Sequence, residues 1–88
     1  MDAEDAKERI IASVFDLIET EPTSKGALLD WQRKAGMVKL LMELDTGDLQ
    51  VPHVLWHYLE DADVRMKDPR YAESQTLHVN EALRRWEN

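Results

Sequence analysis

The residues of this chain best suited to chemistry are two histidines and an aspartate spaced four positions apart. His53, His57 and Asp61 would share one face of a helix, because every fourth residue of an α-helix returns to nearly the same side. Imidazole and carboxylate groups suit zinc, nickel or iron. Three ligands from a single helix rarely enclose an ion, however, and the HExxH pattern is missing. A solvated polar face is therefore the favoured interpretation, and a metal site at these three residues is kept as an alternative.

No other set of residues predicts catalysis. The chain has no cysteine, which excludes a thiolate nucleophile and a cysteine-based zinc site. Ser74 lies four residues before His78, but no oxyanion-hole motif accompanies the pair. The three glycines are isolated, so no loop is built to bind phosphate. We therefore expect a protein that is not an enzyme and uses no cofactor.

The charge of the chain is strongly acidic and unevenly distributed. Its net charge is −7, and residues 1–21 carry seven acidic against two basic side chains. DNA, RNA and anionic membranes attract a positive field, so none of them is expected as a partner, whereas a basic protein remains a candidate. An acidic N-terminal segment and the lack of cysteine together predict a cytoplasmic protein.

The apolar periodicity predicts an all-α fold. The length of 88 residues corresponds to one helical domain over residues 1–88. We expect a compact bundle of about four helices with a long central second helix. Three of the predicted ranges are about 2–19, 52–67 and 69–87, and the second helix runs from a cap at Thr23 or Ser24 to about residue 45. Gly47 is expected to end the second helix. Arg65 is expected near the C-terminal end of the third helix, and Tyr71 on the inward face of the fourth.

The second helix has two apolar faces, which makes it the most informative element. One face contains Ala27, Leu28, Trp31, Ala35, Val38, Leu41 and Met42, and the opposite face contains Leu29, Met37, Leu40 and Leu44. A surface helix needs only one apolar stripe, and a small domain has little structure with which to cover a second. We predict an interface at Met37, Leu40, Leu44 and Trp56. The alternative is that the other helices wrap around the second one.

A few apolar or small residues at other positions also favour an interface with a second chain. Val64 and Leu77 fall outside the predicted inward stripes, which adds to the apolar surface of the chain. Gly36 lies inside the second helix, where glycine costs about 1 kcal/mol relative to alanine. A small residue there would allow another helix to approach closely.

These patterns predict a small intracellular interaction or regulatory protein that acts by binding, as a homodimer. In a first alternative, the chain is an inhibitor or immunity-type protein that covers a basic partner with an acidic face formed by Glu4, Glu8, Asp16 and Glu19. In a second alternative, it binds a metal ion through His53, His57 and Asp61.

Overall fold

Five helices follow one another in the computed structural model, which describes residues 3–44 and 49–87. They are α1 (Ala3–Glu19), α2 (Lys25–Glu43), α3 (His53–Glu60), α4 (Ala62–Lys67) and α5 (Pro69–Glu87). No strand occurs within these ranges, so the predicted all-α class is confirmed. The predicted helix end at Gly47 lies outside the described residues. None of the described helices is both long and apolar enough to cross a lipid bilayer.

The helix boundaries follow from local chemistry. Ser24 caps α2, because its hydroxyl accepts a hydrogen bond from the Ala27 amide at 3.1 Å. Asp68 does the same for α5 by accepting from the amides of Arg70 and Tyr71 at 3.1 and 3.2 Å. Proline at the first position of α5 has no amide that would need a partner. These polar caps explain why the second and last helices begin where the sequence predicts.

The third predicted helix is not continuous, which corrects the expected range of 52–67. It ends at Glu60, and α4 begins at Ala62 after Asp61 leaves the helical conformation with φ −101° and ψ 18°. A continuous helix would pair the Tyr58 carbonyl with the Ala62 amide. That carbonyl instead accepts a hydrogen bond from Nη1 of Arg65. The side chain of Arg65 thus takes over a backbone hydrogen bond at the break.

The hydrophobic core lies between two groups of helices. α1 packs mainly on α2, while α5 packs on α3, α4 and α1. The fully or nearly fully buried side chains come from every helix: Ile10, Ile11, Val14, Leu17, Trp31, Ala35, Val38, Met42, Leu55, Tyr58, Leu59, Ala62, Val79 and Leu83. At the far end, Nε1 of Trp86 donates to the Leu49 carbonyl at 2.9 Å, which fastens α5 to the segment before α3.

α2 is the long second helix that the sequence predicts, and one of its sides packs on three other helices. Its inner side contacts α1, α3 and α4, but its outer side is not covered by the rest of the fold. The other helices therefore do not wrap around it. α5 equals it in length at 19 residues.

Candidate functional site

The outer face of α2 is the most conspicuous exposed apolar surface of the described residues. Leu29 is 61% exposed, Met37 73%, Leu40 61% and Leu44 77%. At about 100° per residue these four positions lie within an arc of about 80° on one side of the helix. We call this surface the α2 face. Single exposed apolar residues are ordinary, but a row of four large ones on one helix is typical of a binding surface.

The inner side of α2 holds the helix rigidly in place. Trp31, Ala35, Val38 and Met42 are all buried, and their mean direction is about 180° from that of the α2 face. The indole of Trp31 also donates a hydrogen bond to the Leu17 carbonyl at 2.9 Å, which ties α2 to the end of α1. The α2 face is therefore presented by a well-anchored helix, which lowers the entropic cost of binding.

Charged residues border the α2 face on both sides. Arg33, which lies among its apolar residues, has its guanidinium 3.8 Å from the Asp30 carboxylate, and both side chains are largely exposed. Lys39 on one edge reaches Glu60 of α3 at 3.6 Å. On the other edge, Met37 and Lys34 line a shallow groove of about 430 Å³ against α1. The surface thus combines four large apolar side chains with one arginine among them and lysines at its edges, a composition that protein interfaces tolerate.

Other predicted apolar surface residues do not all join the α2 face. Trp56, predicted as part of the interface, is half-buried on α3 and packs against the core. Val64 and Leu77 are 44% and 57% exposed, but they lie on α4 and α5. We therefore restrict the site to Leu29, Met37, Leu40 and Leu44.

The residues of the predicted metal site are not arranged as one. His53 and His57 are exposed on α3, whereas Asp61 lies at the break after that helix. The Asp61 carboxylate is engaged by the Tyr71 hydroxyl at 2.6 Å and by the Gln75 amide at 3.0 Å. Within the two described ranges, no group of three His, Cys, Asp or Glu side chains is placed to hold a metal ion. We make no metal proposal at this face.

The predicted acidic face on α1 is exposed, and part of it borders a groove. Glu4, Glu8, Asp16 and Glu19 all face solvent. Glu4 and Glu8, together with Glu87 of α5, rim a groove of about 520 Å³ whose apolar lining comes from Ile11, Ala12 and Phe15. Lys7 also lines this groove, with its ammonium 5.6 Å from the centre of the Trp86 ring. We call this surface the acidic groove. Asp16 and Glu19 lie outside it.

A buried polar cluster around Arg65 was not predicted. Only 1% of the Arg65 side chain is exposed, and its Nε lies 2.7 Å from the Glu21 carboxylate. Its Nη1 donates to Gln75 at 2.6 Å as well as to the Tyr58 carbonyl. The same Glu21 carboxylate accepts from the Tyr58 hydroxyl at 2.7 Å. One guanidinium therefore joins α3, α4, α5 and the segment between α1 and α2.

Aromatic rings complete this cluster. The guanidinium carbon of Arg65 lies 3.8 Å from the centre of the Tyr58 ring and 5.2 Å from that of Trp31. The two rings meet edge to face, with centres 5.8 Å apart. Nη2 of Arg65 has no hydrogen-bond partner among the described atoms, so the adjacent aromatic rings are its main favourable environment. The sequence did contain a signal, since Tyr58, Ala62 and Arg65 recur with the spacing of one helix face.

The cluster alters the ionisation of its members. Burial, followed by the hydrogen bond to Glu21, raises the pKa of Tyr58 far above its usual range, so its hydroxyl stays protonated. The hydrogen bond from Tyr71 lowers the pKa of Asp61, and the same bond raises the pKa of Tyr71. Tyr71 was expected to face inward but is 36% exposed, because its hydroxyl reaches out to Asp61. Apart from Nη2 of Arg65, the polar groups of the cluster bond to one another, which indicates a stabilising role.

Comparison with protein-family models, with curated proteins and with solved structures finds no significant match to this chain. Its function therefore has to be argued from its own surfaces.

Proposed function

We propose that this chain is a non-enzymatic interaction protein that forms a homodimer through the α2 face. The observation that carries the proposal is the row of four large apolar side chains on an anchored helix, each between 61% and 77% exposed. Burying such a side chain completely contributes about 1.5–3 kcal/mol. A second copy supplies an equivalent apolar surface, and two-fold homodimers are the commonest soluble oligomers.

The size of the α2 face predicts a weak dimer. Its apolar residues belong to one helix, whereas stable complexes commonly bury about 800 Å² on each partner. Association also costs several kcal/mol of lost translational and rotational freedom. We therefore expect a dissociation constant on the order of micromolar, so that assembly responds to the concentration of the protein.

Light scattering over a dilution series tests this proposal. The wild-type mass should rise from 10.3 kDa towards twice that value with increasing concentration. Leu40→Glu should remain monomeric and keep the helical circular dichroism of the wild type, because Leu40 supports no core packing. Leu77→Glu is the matched control on α5, where leucine is similarly exposed, and it should still dimerise. A wild-type chain that stays monomeric at millimolar concentration would overturn the proposal.

The acidic groove supports a second candidate function, capture of a basic helical segment of another protein. Three glutamates surround an apolar lining that would accept an aliphatic anchor, and the net charge of −7 would speed the encounter with a cationic partner. This corresponds to the inhibitor or immunity-type alternative, with the acidic surface limited to Glu4, Glu8 and Glu87.

A designed peptide separates groove binding from general charge attraction. The probe is a synthetic helix with leucines on one face and lysines on both margins. Its binding should weaken at high salt and should be reduced at least tenfold by Ala12→Trp, because the exposed Ala12 lines the groove. Glu19→Lys, outside the groove, should have a smaller effect. Unchanged binding in Ala12→Trp together with weaker binding in Glu19→Lys would show that only net charge attracts the peptide, because Ala12→Trp leaves the charge of the chain unaltered.

A further inference from the structure

Two of the four residues of the α2 face, Leu29 and Leu44, are placed symmetrically about a point between Gly36 and Met37. Leu29 lies seven residues before Gly36, and Leu44 lies seven residues after Met37. Arg33 and Leu40 are likewise three residues to either side of this central pair. The centre of this arc is also the direction opposite the buried side of α2. A surface with this symmetry matches an inverted copy of itself.

We infer that two copies of the chain pair their α2 helices antiparallel, with the two-fold axis passing between Gly36 and Met37. The inference rests on the proposed homodimer and specifies its register. In such an isologous contact, a residue of one copy lies level with a residue of the other copy when their two numbers add up to 73. Leu29 then lies beside Leu44 of the second copy, and Leu40 lies on the aliphatic part of Arg33 of the second copy.

Gly36 is an independent observation in favour of this arrangement. A methyl group built on Gly36 would meet nothing within 4 Å, so no packing inside the chain requires glycine. Its backbone is also not among the positive-φ conformations that favour glycine, since it lies in the interior of α2. Next to the two-fold axis, Gly36 would lie beside Gly36 of the second copy, offset by about 1.5 Å along the helices. The lack of a side chain at both residues lets the two helix backbones approach one another. No contact within the described chain therefore requires glycine at this position, and its backbone is open to a second chain.

Charge favours the antiparallel over the parallel arrangement. A parallel two-fold would place each residue against itself, including Arg33 against Arg33 at the centre of the contact. The antiparallel register places Arg33 against Leu40 instead. It also brings Glu43 and Lys25 of different copies to the same edge, about 7.5 Å apart along the helix axis, within reach of their long side chains. The two helix dipoles oppose one another favourably as well.

Disulfide trapping can determine the register, because the chain has no native cysteine. For helix axes about 9 Å apart, the antiparallel register brings the two Met37 Cα atoms, and the Cα atoms of Leu29 and Leu44, to about 6 Å, which suits a disulfide. Oxidation of Met37→Cys alone should therefore give a covalent dimer. A mixture of Leu29→Cys and Leu44→Cys chains should give the mixed dimer. Leu44→Cys alone should crosslink no more than Leu77→Cys, the control for random collision.

The outcomes distinguish failure of the register from failure of the dimer. Efficient self-crosslinking of Leu44→Cys would overturn the proposed register, because that register places the two copies of this position about 22 Å apart along the helix axes. Absence of crosslinks in every variant, with a dimer still observed by light scattering of the wild-type protein, would also overturn the register and leave the dimer intact. A monomer by light scattering would overturn both.

Discussion

Nε of Arg65 lies 2.7 Å from a carboxylate oxygen of Glu21, although 44 residues of chain separate them. The contact links α4 to the segment between α1 and α2. The arginine is buried and the glutamate half-buried, so their pairing offsets the cost of taking a cation out of water.

Removal of either side chain of this ion pair should therefore destabilise the fold. We expect Arg65→Met to lower the free energy of unfolding by about 3–5 kcal/mol, because Glu21, Gln75 and the Tyr58 carbonyl all lose their donor. Urea unfolding followed by circular dichroism measures the loss. Arg70→Met, at an exposed position, is the control and should change stability by less than about 0.5 kcal/mol. A small loss in Arg65→Met would show that the cluster contributes little to stability.

Gly36→Ala should have opposite effects on folding and on association. Alanine meets no neighbouring atom at this position, so the variant monomer should be more stable by up to about 1 kcal/mol in thermal unfolding at low concentration. The added methyl groups should separate the two helices of the dimer and raise its dissociation constant several-fold. Gly26→Ala is the matched control, because Gly26 also has open space around it but lies near the start of α2. Unchanged association in Gly36→Ala would contradict a close approach at this residue.

The hydrogen bond between Tyr71 and Asp61 predicts a pH-dependent contribution to stability. Because the pKa of Asp61 is lowered by folding, its ionised form stabilises the fold above the ordinary value of 3.8. That contribution disappears as the pH falls through the lower pKa of the folded state. Tyr71→Phe removes this hydrogen bond, which is the largest cause of the lowered pKa of Asp61. Because the bond is exposed to solvent, its loss should lower the free energy of unfolding by less than about 1 kcal/mol at pH 7. The difference in the free energy of unfolding between Tyr71→Phe and the wild type should become smaller as the pH falls below 3.8.

Chemical denaturation at a series of pH values provides the measurement. In an Asp61→Asn background, the Tyr71→Phe substitution should cost the same at every pH, because no carboxylate remains to titrate. A difference between wild type and Tyr71→Phe that stays constant on acidification would show that the Tyr71 hydroxyl contributes equally to both protonation states of Asp61.

The sequence predicted those features that depend on neighbouring residues. Ser24 and Asp68 begin helices because their side chains satisfy amides two or three residues away. The exposure of Met37 and Leu40 followed from helical spacing alone. The break at Asp61 was not predictable in the same way, because it depends on an arginine whose own position is fixed by a distant glutamate.

In the candidate site, too, features that depend on a single helix were predictable, whereas features that depend on packing between helices were not. The α2 face was predicted almost completely, since its residues share one helix. Trp56 lies on α3, so how much of it is exposed depends on how that helix is rotated against the core, which the sequence alone does not specify. The acidic groove joins α1 to the last turn of α5, and no local pattern specifies which ends of a bundle meet.

The hydrogen bond from Trp31 to the Leu17 carbonyl spans 14 residues, against 44 for the ion pair of Glu21 and Arg65. Closing the longer loop costs about 1 kcal/mol more in chain entropy. We therefore expect the hairpin of α1 and α2 to form before the guanidinium of Arg65 reaches Glu21. Interactions that form after the folding transition state slow unfolding rather than speed folding, so we expect loss of the Arg65 cluster to raise the unfolding rate more than it lowers the folding rate.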